Sequence, residues 1–132
     1  MPSFSKRSCE RLATCDPRLQ LVFNTAIEHF DCSILEGHRS ETRQKEMFET
    51  GRSQVQFPES KHNSLPSLAV DVMPYPIDFE DRERMHLFAG FVLATARNLG
   101  VRLRWGGDWD SDTEVADNRF DDLVHFELAE SP

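Results

Sequence analysis

Ser60-Lys61-His62-Asn63-Ser64-Leu65-Pro66-Ser67-Leu68-Ala69-Val70-Asp71 is the stretch on which the reading of this sequence turns. Its first eight residues are mostly polar and carry a proline, which is turn chemistry. From Leu68 to Met73 the chain is apolar except for Asp71, and Pro74 and Pro76 then stop the run. Residues 68–73 therefore read as a short buried strand. A carboxylate inside such a strand is costly to bury unless it is paired or metal-bound. A second apolar strand, Val124 to Leu128, lies in Asp121-Asp122-Leu123-Val124-His125-Phe126-Glu127-Leu128.

Working outward, Asp16-Pro17 has the form of a helix start, with Asp as N-cap and Pro at the first helical position. Leu19, Val22, Phe23, Ala26, Ile27 and Phe30 follow at helical spacing, so an amphipathic helix is predicted over 17–30. Cys32 to Leu35 reads as a strand closed by Gly37. Ser40 caps a second helix from Glu41 to Thr50, with Gly51 just past its end. Residues 51–68 are a loop by composition. Met85, Phe88, Ala89, Val92, Leu93, Ala96 and Leu99 mark the longest helix, Asp81 to Leu99, ending at Gly100. Val101 to Trp105 is a strand, and residues 106–121 form an acidic loop. The expected class is α+β: a small, largely antiparallel sheet flanked by about three helices, with the chain 1–132 as one domain and its core over about 15–128.

The sequence has 132 residues, 39% of them hydrophobic and 29% charged, with a net charge of −8. That balance describes a globular protein and argues against nucleic acid held through a basic face. No apolar run approaches the roughly 20 residues of a membrane span, so no stable membrane association is expected. The first ten residues lack a signal peptide's apolar segment, which points to synthesis in the cytoplasm. Cys9, Cys15 and Cys32 match neither a metal knuckle nor a redox pair, and read as reduced thiols acting as small apolar side chains.

His62, Asp71 and His125 form a candidate metal set. Two imidazoles and a carboxylate leave a fourth position open, as a hydrolytic zinc site requires. The bland alternative for His125 is a partly buried core histidine. Asp122, three residues before His125, can stand beside the metal as a general base without ligating it. Its neighbour Asp121 reads as a solvated loop charge. Ser60 is either a hydrogen-bonding group for a ligand or substrate, or a loop former. Glu127 shares a strand face with His125 and can orient its imidazole from behind, or be an ordinary strand glutamate. His38 reads as structural or exposed, and His29 and His86, on the predicted helices, read as surface residues. Trp109 and Trp105 flank two glycines near the presumed cleft, with core packing the default for Trp105. Asp108, Asp110 and Asp112 alternate as in the start of a calcium loop, but Thr113 stands where a glycine belongs and Arg119 where a glutamate belongs. An acidic lid is the plainer reading, a regulatory Ca²⁺ site the sharper one.

Ser60-x-His62, Ala69-x-Asp71 and Asp122-x-x-His125 together resemble the signature of the LAS metallopeptidases, which include D-Ala-D-Ala carboxypeptidases and dipeptidases and phage L-alanyl-D-glutamate endopeptidases. Gly37-His38-Arg39-Ser40 with Gln44 is similar to that family's upstream arginine motif. The Trp105–Asp110 and Asp122–Leu128 segments look most like the short phage endolysins. The resemblance implies a hedgehog/D-Ala-D-Ala peptidase-like fold and one catalytic Zn²⁺ on His62, Asp71 and His125. It further implies Asp122 as base, and Arg39 as the group that polarises the scissile carbonyl and stabilises the oxyanion.

The implied substrate is the peptidoglycan stem peptide, cut between L-Ala and D-Glu, by a monomer released from the host cytoplasm to the periplasm after a holin opens the membrane. A D-Ala-D-Ala carboxy- or dipeptidase, or a non-catalytic zinc-binding module on the same scaffold, are the alternatives. The interval from His62 to Asp71 is two residues longer than the family's common form, with Leu65-Pro66-Ser67 in place of a glycine turn. A changed cleft rim is expected there.

Overall fold

Two buried segments, residues 69–74 and 122–128, form the centre of a four-stranded sheet. The structure is a computed structural model and describes residues 2–116 and 121–129. Its elements in chain order are α1 (Lys6–Leu12), α2 (Pro17–Ala26), β1 (Cys32–Glu36), α3 (Glu41–Glu49), a 3-10 turn (Lys61–Asn63), β2 (Ala69–Pro74), α4 (Arg82–Asn98), β3 (Leu103–Gly106) and β4 (Asp122–Leu128). The sheet order is β1-β2-β4-β3, with every neighbouring pair antiparallel. This is the expected α+β class, with a fourth α-helix.

The helices start where the caps predict. Asp16 accepts from the Arg18 amide with Pro17 at the first position, Ser40 accepts from Arg43 N–H, and Asp81 from Arg84 N–H. Helix α2 ends at Ala26 rather than Phe30, because residues 27–29 tighten into turns. Helix α1 was not foreseen. It is a seven-residue helix capped by Ser5, and it buries only Ser8 and Leu12, so its apolar signal is faint. The core therefore reaches back beyond residue 15, to Leu12.

α4 packs against α2 and lies on β2, β3 and β4, so the two long helices cover one face of the sheet. There Phe126 meets Phe23 edge-on at 5.4 Å and Phe88 at 6.1 Å. All three rings are almost fully buried, and each contributes roughly 2–3 kcal/mol from apolar burial. Cys15 and Cys32 are buried thiols, and desolvation pushes them up to about 11 and about 12. Cys9 is exposed, so the small-apolar reading does not extend to it.

The opposite face carries the polar row. Across the ladders Glu36 pairs with Asp71 and Asp71 with His125. A bulge between Ile34 and Glu36 turns Glu36 into this row. A second break lies between Trp105 and Gly106, whose ladder partners are Phe126 and Asp122. A Cβ on Gly106 would stand 2.1 Å from the Asp122 carbonyl oxygen, so only glycine lets β3 approach there.

Candidate metal centre and its cleft

His62 reaches the site from a turn, not a strand. Ser60 caps that turn: its hydroxyl accepts from His62 N–H at 3.1 Å, and its own N–H donates to Asn63 Oδ1. The loop behind it is pinned to the α1–α2 connection, since Ser67 N–H donates to Thr14 and Asp16 N–H to the Ser67 carbonyl, both at 2.8 Å. The longer proline-bearing loop is thus anchored at its base, while Leu65 at its tip is exposed.

His62 Nε2 and His125 Nδ1 lie 3.2 and 3.3 Å from the same Asp71 oxygen, Oδ1. The other imidazole nitrogens are fixed from behind. His62 Nδ1 is 2.7 Å from the Gly37 carbonyl, and His125 Nε2 is 2.8 Å from Glu127 Oε1. Neither of those acceptors can donate, so each must receive the imidazole proton. The inward-facing nitrogens of neutral rings then aim lone pairs at a carboxylate oxygen. That arrangement calls for a proton or a cation between them.

The donor set fits zinc. All three ligand atoms lie within 4.8 Å of one another. The two contacts to Asp71 match the roughly 3.3 Å edge of a tetrahedron whose bonds are about 2.0–2.1 Å. Gly37 is required at its position, because a Cβ would meet Thr14 Oγ1 at 2.4 Å and the Arg11 carbonyl at 2.5 Å.

Burial disfavours the Asp71 charge, but the two imidazoles outweigh it and hold the carboxyl well below the usual carboxylate range. Burial likewise opposes charge on His125. Hydrogen bonds to Asp71 and Glu127 prevail and push it up to about 9. Glu127, also desolvated, is held down to about 2 by His125 and Arg104. Asp122 goes the other way: burial and the Asp71 charge raise it, against the pull of His125, His62 and Arg39.

Arg39 is 5% exposed. Its terminal nitrogens donate to Gln44 Oε1 at 3.0 Å and Glu36 Oε1 at 2.8 Å, and the latter nitrogen is 3.6 Å from Asp71 Oδ2. Nε is buried with no hydrogen-bond partner among the described residues. Gln44 is fully buried, and its amide donates to Val55 O and Ser53 Oγ, tying Arg39 to the cleft loop. Arg39, Glu36, Ser53 and Val55 line a cleft of about 1340 Å³ together with Asp122, Trp109 and Arg104.

A family model described as phage L-alanyl-D-glutamate peptidase matches residues 2–129. The chain belongs to that family. The L-alanyl-D-glutamate peptidase of Escherichia phage T5 is 31% identical over 119 residues, which span 86% of each protein. Among solved structures, the L-Ala D-Glu endopeptidase ChiX of Serratia marcescens superposes with a TM-score of 0.74 at 30% identity, over 96% of this chain and 90% of that one.

In this member of the phage L-alanyl-D-glutamate peptidase family, the remaining sequence candidates divide clearly. Ser60 bonds the backbone of His62, not its ring, so it shapes the ligand turn. His38 Nδ1 faces the Ser64 carbonyl at 2.9 Å, His29 is exposed, and His86 packs edge-on against Trp105. Trp105 is core and donates to Leu123 O, whereas Trp109 leans over His125 at 5.4 Å and walls the cleft. Asp121 pairs with Arg82 on the surface. Asp108, Asp110 and Asp112 do converge, while Arg119 lies outside the described residues. Sequence reasoning missed Glu36, Lys61 and Arg104. Glu36 stands three residues before Arg39, a spacing that could have flagged it.

Proposed function

We propose that this chain is a zinc-dependent peptidoglycan endopeptidase, a phage endolysin that hydrolyses the stem peptide of the bacterial wall at the L-Ala–D-Glu bond. Family membership supports the reaction. The observation that carries the metal is the pair of imidazoles whose outer nitrogens are committed to acceptors while their inner nitrogens face one Asp71 oxygen. His62, Asp71 and His125 would hold the ion. When bound, zinc supplies Lewis acidity and lowers the pKa of water to about 7.

The chain's own residues do the rest. Asp122 takes the proton of the attacking water and delivers it to the nitrogen of the departing D-Glu. Its raised affinity for protons suits a group that must first accept and then donate. Arg39, fixed by Glu36 and Gln44, places a permanent positive charge beside the site and stabilises the negative oxygen of the tetrahedral intermediate. Glu127 keeps His125 in the tautomer whose Nδ1 faces inward. Trp109 covers one side of the cleft and limits water there.

The protein acts as a monomer, made in the host cytoplasm and working in the periplasm after holin-dependent release. Among the described residues no helix is long and apolar enough to cross a membrane. Digestion of purified sacculi by zinc-loaded protein, with mass spectrometry of the fragments, tests the reaction. New D-Glu amino termini are expected; release of free D-Ala instead would mark a carboxypeptidase.

A further inference from the structure

We infer that Arg104 is a specificity-determining residue that binds the free carboxylate of the glutamyl residue beside the scissile bond. The inference rests on the endopeptidase reading above. Its chemical premise is simple. A glutamate joined to alanine through its amine, and onward through one carboxyl, keeps its other carboxyl as an anion a few bonds from the scissile nitrogen. A protein of net charge −8 needs a dedicated cation to receive that anion.

Arg104 is placed for this. It lies on β3 directly across the ladder from Glu127, whose carboxylate holds the ligand His125. Its Nε donates to Glu127 Oε2 at 3.1 Å, and its guanidinium sits 6.0 Å from the centre of the Trp109 ring, which itself leans over His125. The side chain is 40% exposed, and Nη1 has no hydrogen-bond partner among the described residues. The fork is thus oriented on one edge and open on the other.

Local charge favours the same conclusion. Glu127 accepts from both Arg104 and Lys61, so Arg104 does not have that carboxylate to itself. The other arginines lining the cleft are engaged elsewhere, Arg11 by the Ile34 carbonyl. Arg43 is held between Glu36 and Glu46, Arg52 is bound to the same Glu46, and Arg39 is buried against Glu36 and Asp71. A surface ion pair with no further role would be worth little. This one, by contrast, forms part of the cleft wall next to a proposed metal ligand.

The test compares two synthetic stem peptides, one with the free glutamyl carboxyl and one with that carboxyl as its primary amide. Both are cut by zinc-loaded wild type, Arg104→Gln and Arg104→Lys, with zinc content and Tm measured for each. Wild type should prefer the carboxylate peptide by about tenfold or more in kcat/KM. In Arg104→Gln the loss on that peptide should exceed the loss on the amide by a similar factor and appear mainly in KM, with Arg104→Lys intermediate. Any effect transmitted through Glu127 and His125 falls on both peptides alike and cancels in the ratio. Equal losses on the two peptides, or no preference in wild type, would overturn the assignment. Should Arg104→Gln fail to fold, the wild-type preference and its reduction in Arg104→Lys decide. Cleavage of neither peptide by wild type would instead bring down the endopeptidase reading, and this inference with it.

Discussion

Two clusters in this protein bring three ligating side chains within 4.8 Å: His62, Asp71 and His125 on one hand, and Asp108, Asp110 and Asp112 on the other. They are built very differently. The first is buried, mixes imidazole nitrogen with carboxylate oxygen, and fixes every member from behind through Gly37, Arg39 or Glu127. In the second, Asp110 and Asp112 are exposed, and the carboxylates accept bonds from the loop's own amides: Asp108 from Thr113 and Asp112, Asp112 from Glu114. Those bonds accompany positive φ at Ser111 and Thr113, as capped turns do. Proximity of donor atoms is common to both clusters. In the first, outer partners hold the donors in one tautomer and one rotamer, and that is what supports a metal centre there.

The sharpest way to break the contrast is His125→Ala, expected to abolish both zinc retention and sacculus digestion, read by metal analysis and turbidity. Asp122→Asn should come next, keeping zinc while lowering turnover by about 10²–10⁴-fold. Unchanged turnover in that variant would remove Asp122 from the proton-transfer role.

Glu127→Gln removes the charge behind His125 and should weaken zinc binding by about 10–100-fold in a competition titration. pH acts on the same group. In the metal-free protein His125 stays protonated up to about 9, above its ordinary value near 6.5. Its stabilising contribution is therefore complete below about pH 6.5 and is lost as pH rises through 9. Zinc must displace that proton, so its apparent affinity should strengthen by up to about tenfold per pH unit until pH 9. A flat affinity between pH 6.5 and 8.5 would contradict the charged His125.

The smallest effect is expected from Asp110→Asn with Asp112→Asn. Zinc content should be unchanged and Tm only slightly shifted, since both side chains are exposed. A Tm rise with Ca²⁺ in wild type, lost in this variant, would show that the acidic turn takes a hard cation and would narrow the contrast.

The convergence of His62, Asp71 and His125, the proposed metal ligands, was legible in the sequence because its signals are local. Asp71 interrupts an apolar run, and Asp122 and His125 keep a fixed spacing on one strand. The capped starts of α2, α3 and α4 were legible for the same reason. What escaped depends on register. Glu36 enters the polar row only because of a bulge after Ile34, and Arg104 faces Glu127 only through the β3–β4 pairing. Neither is encoded in the periodicity of a single segment. The extent of β4 was misjudged similarly: the strand begins at Asp122 rather than Val124, because the chain re-enters the ladder opposite Gly106.

That re-entry point has a further consequence. Gly106 and Asp122 close a loop whose two ends meet backbone to backbone, within a distance that tolerates no side chain on the glycine. Substitutions at the exposed positions 110–116 should therefore reshape the rim of the cleft while the joint keeps the proposed base where it is. Gly107, packed on the Trp105 ring, and Trp109, over His125, by contrast tie the start of the loop to the site.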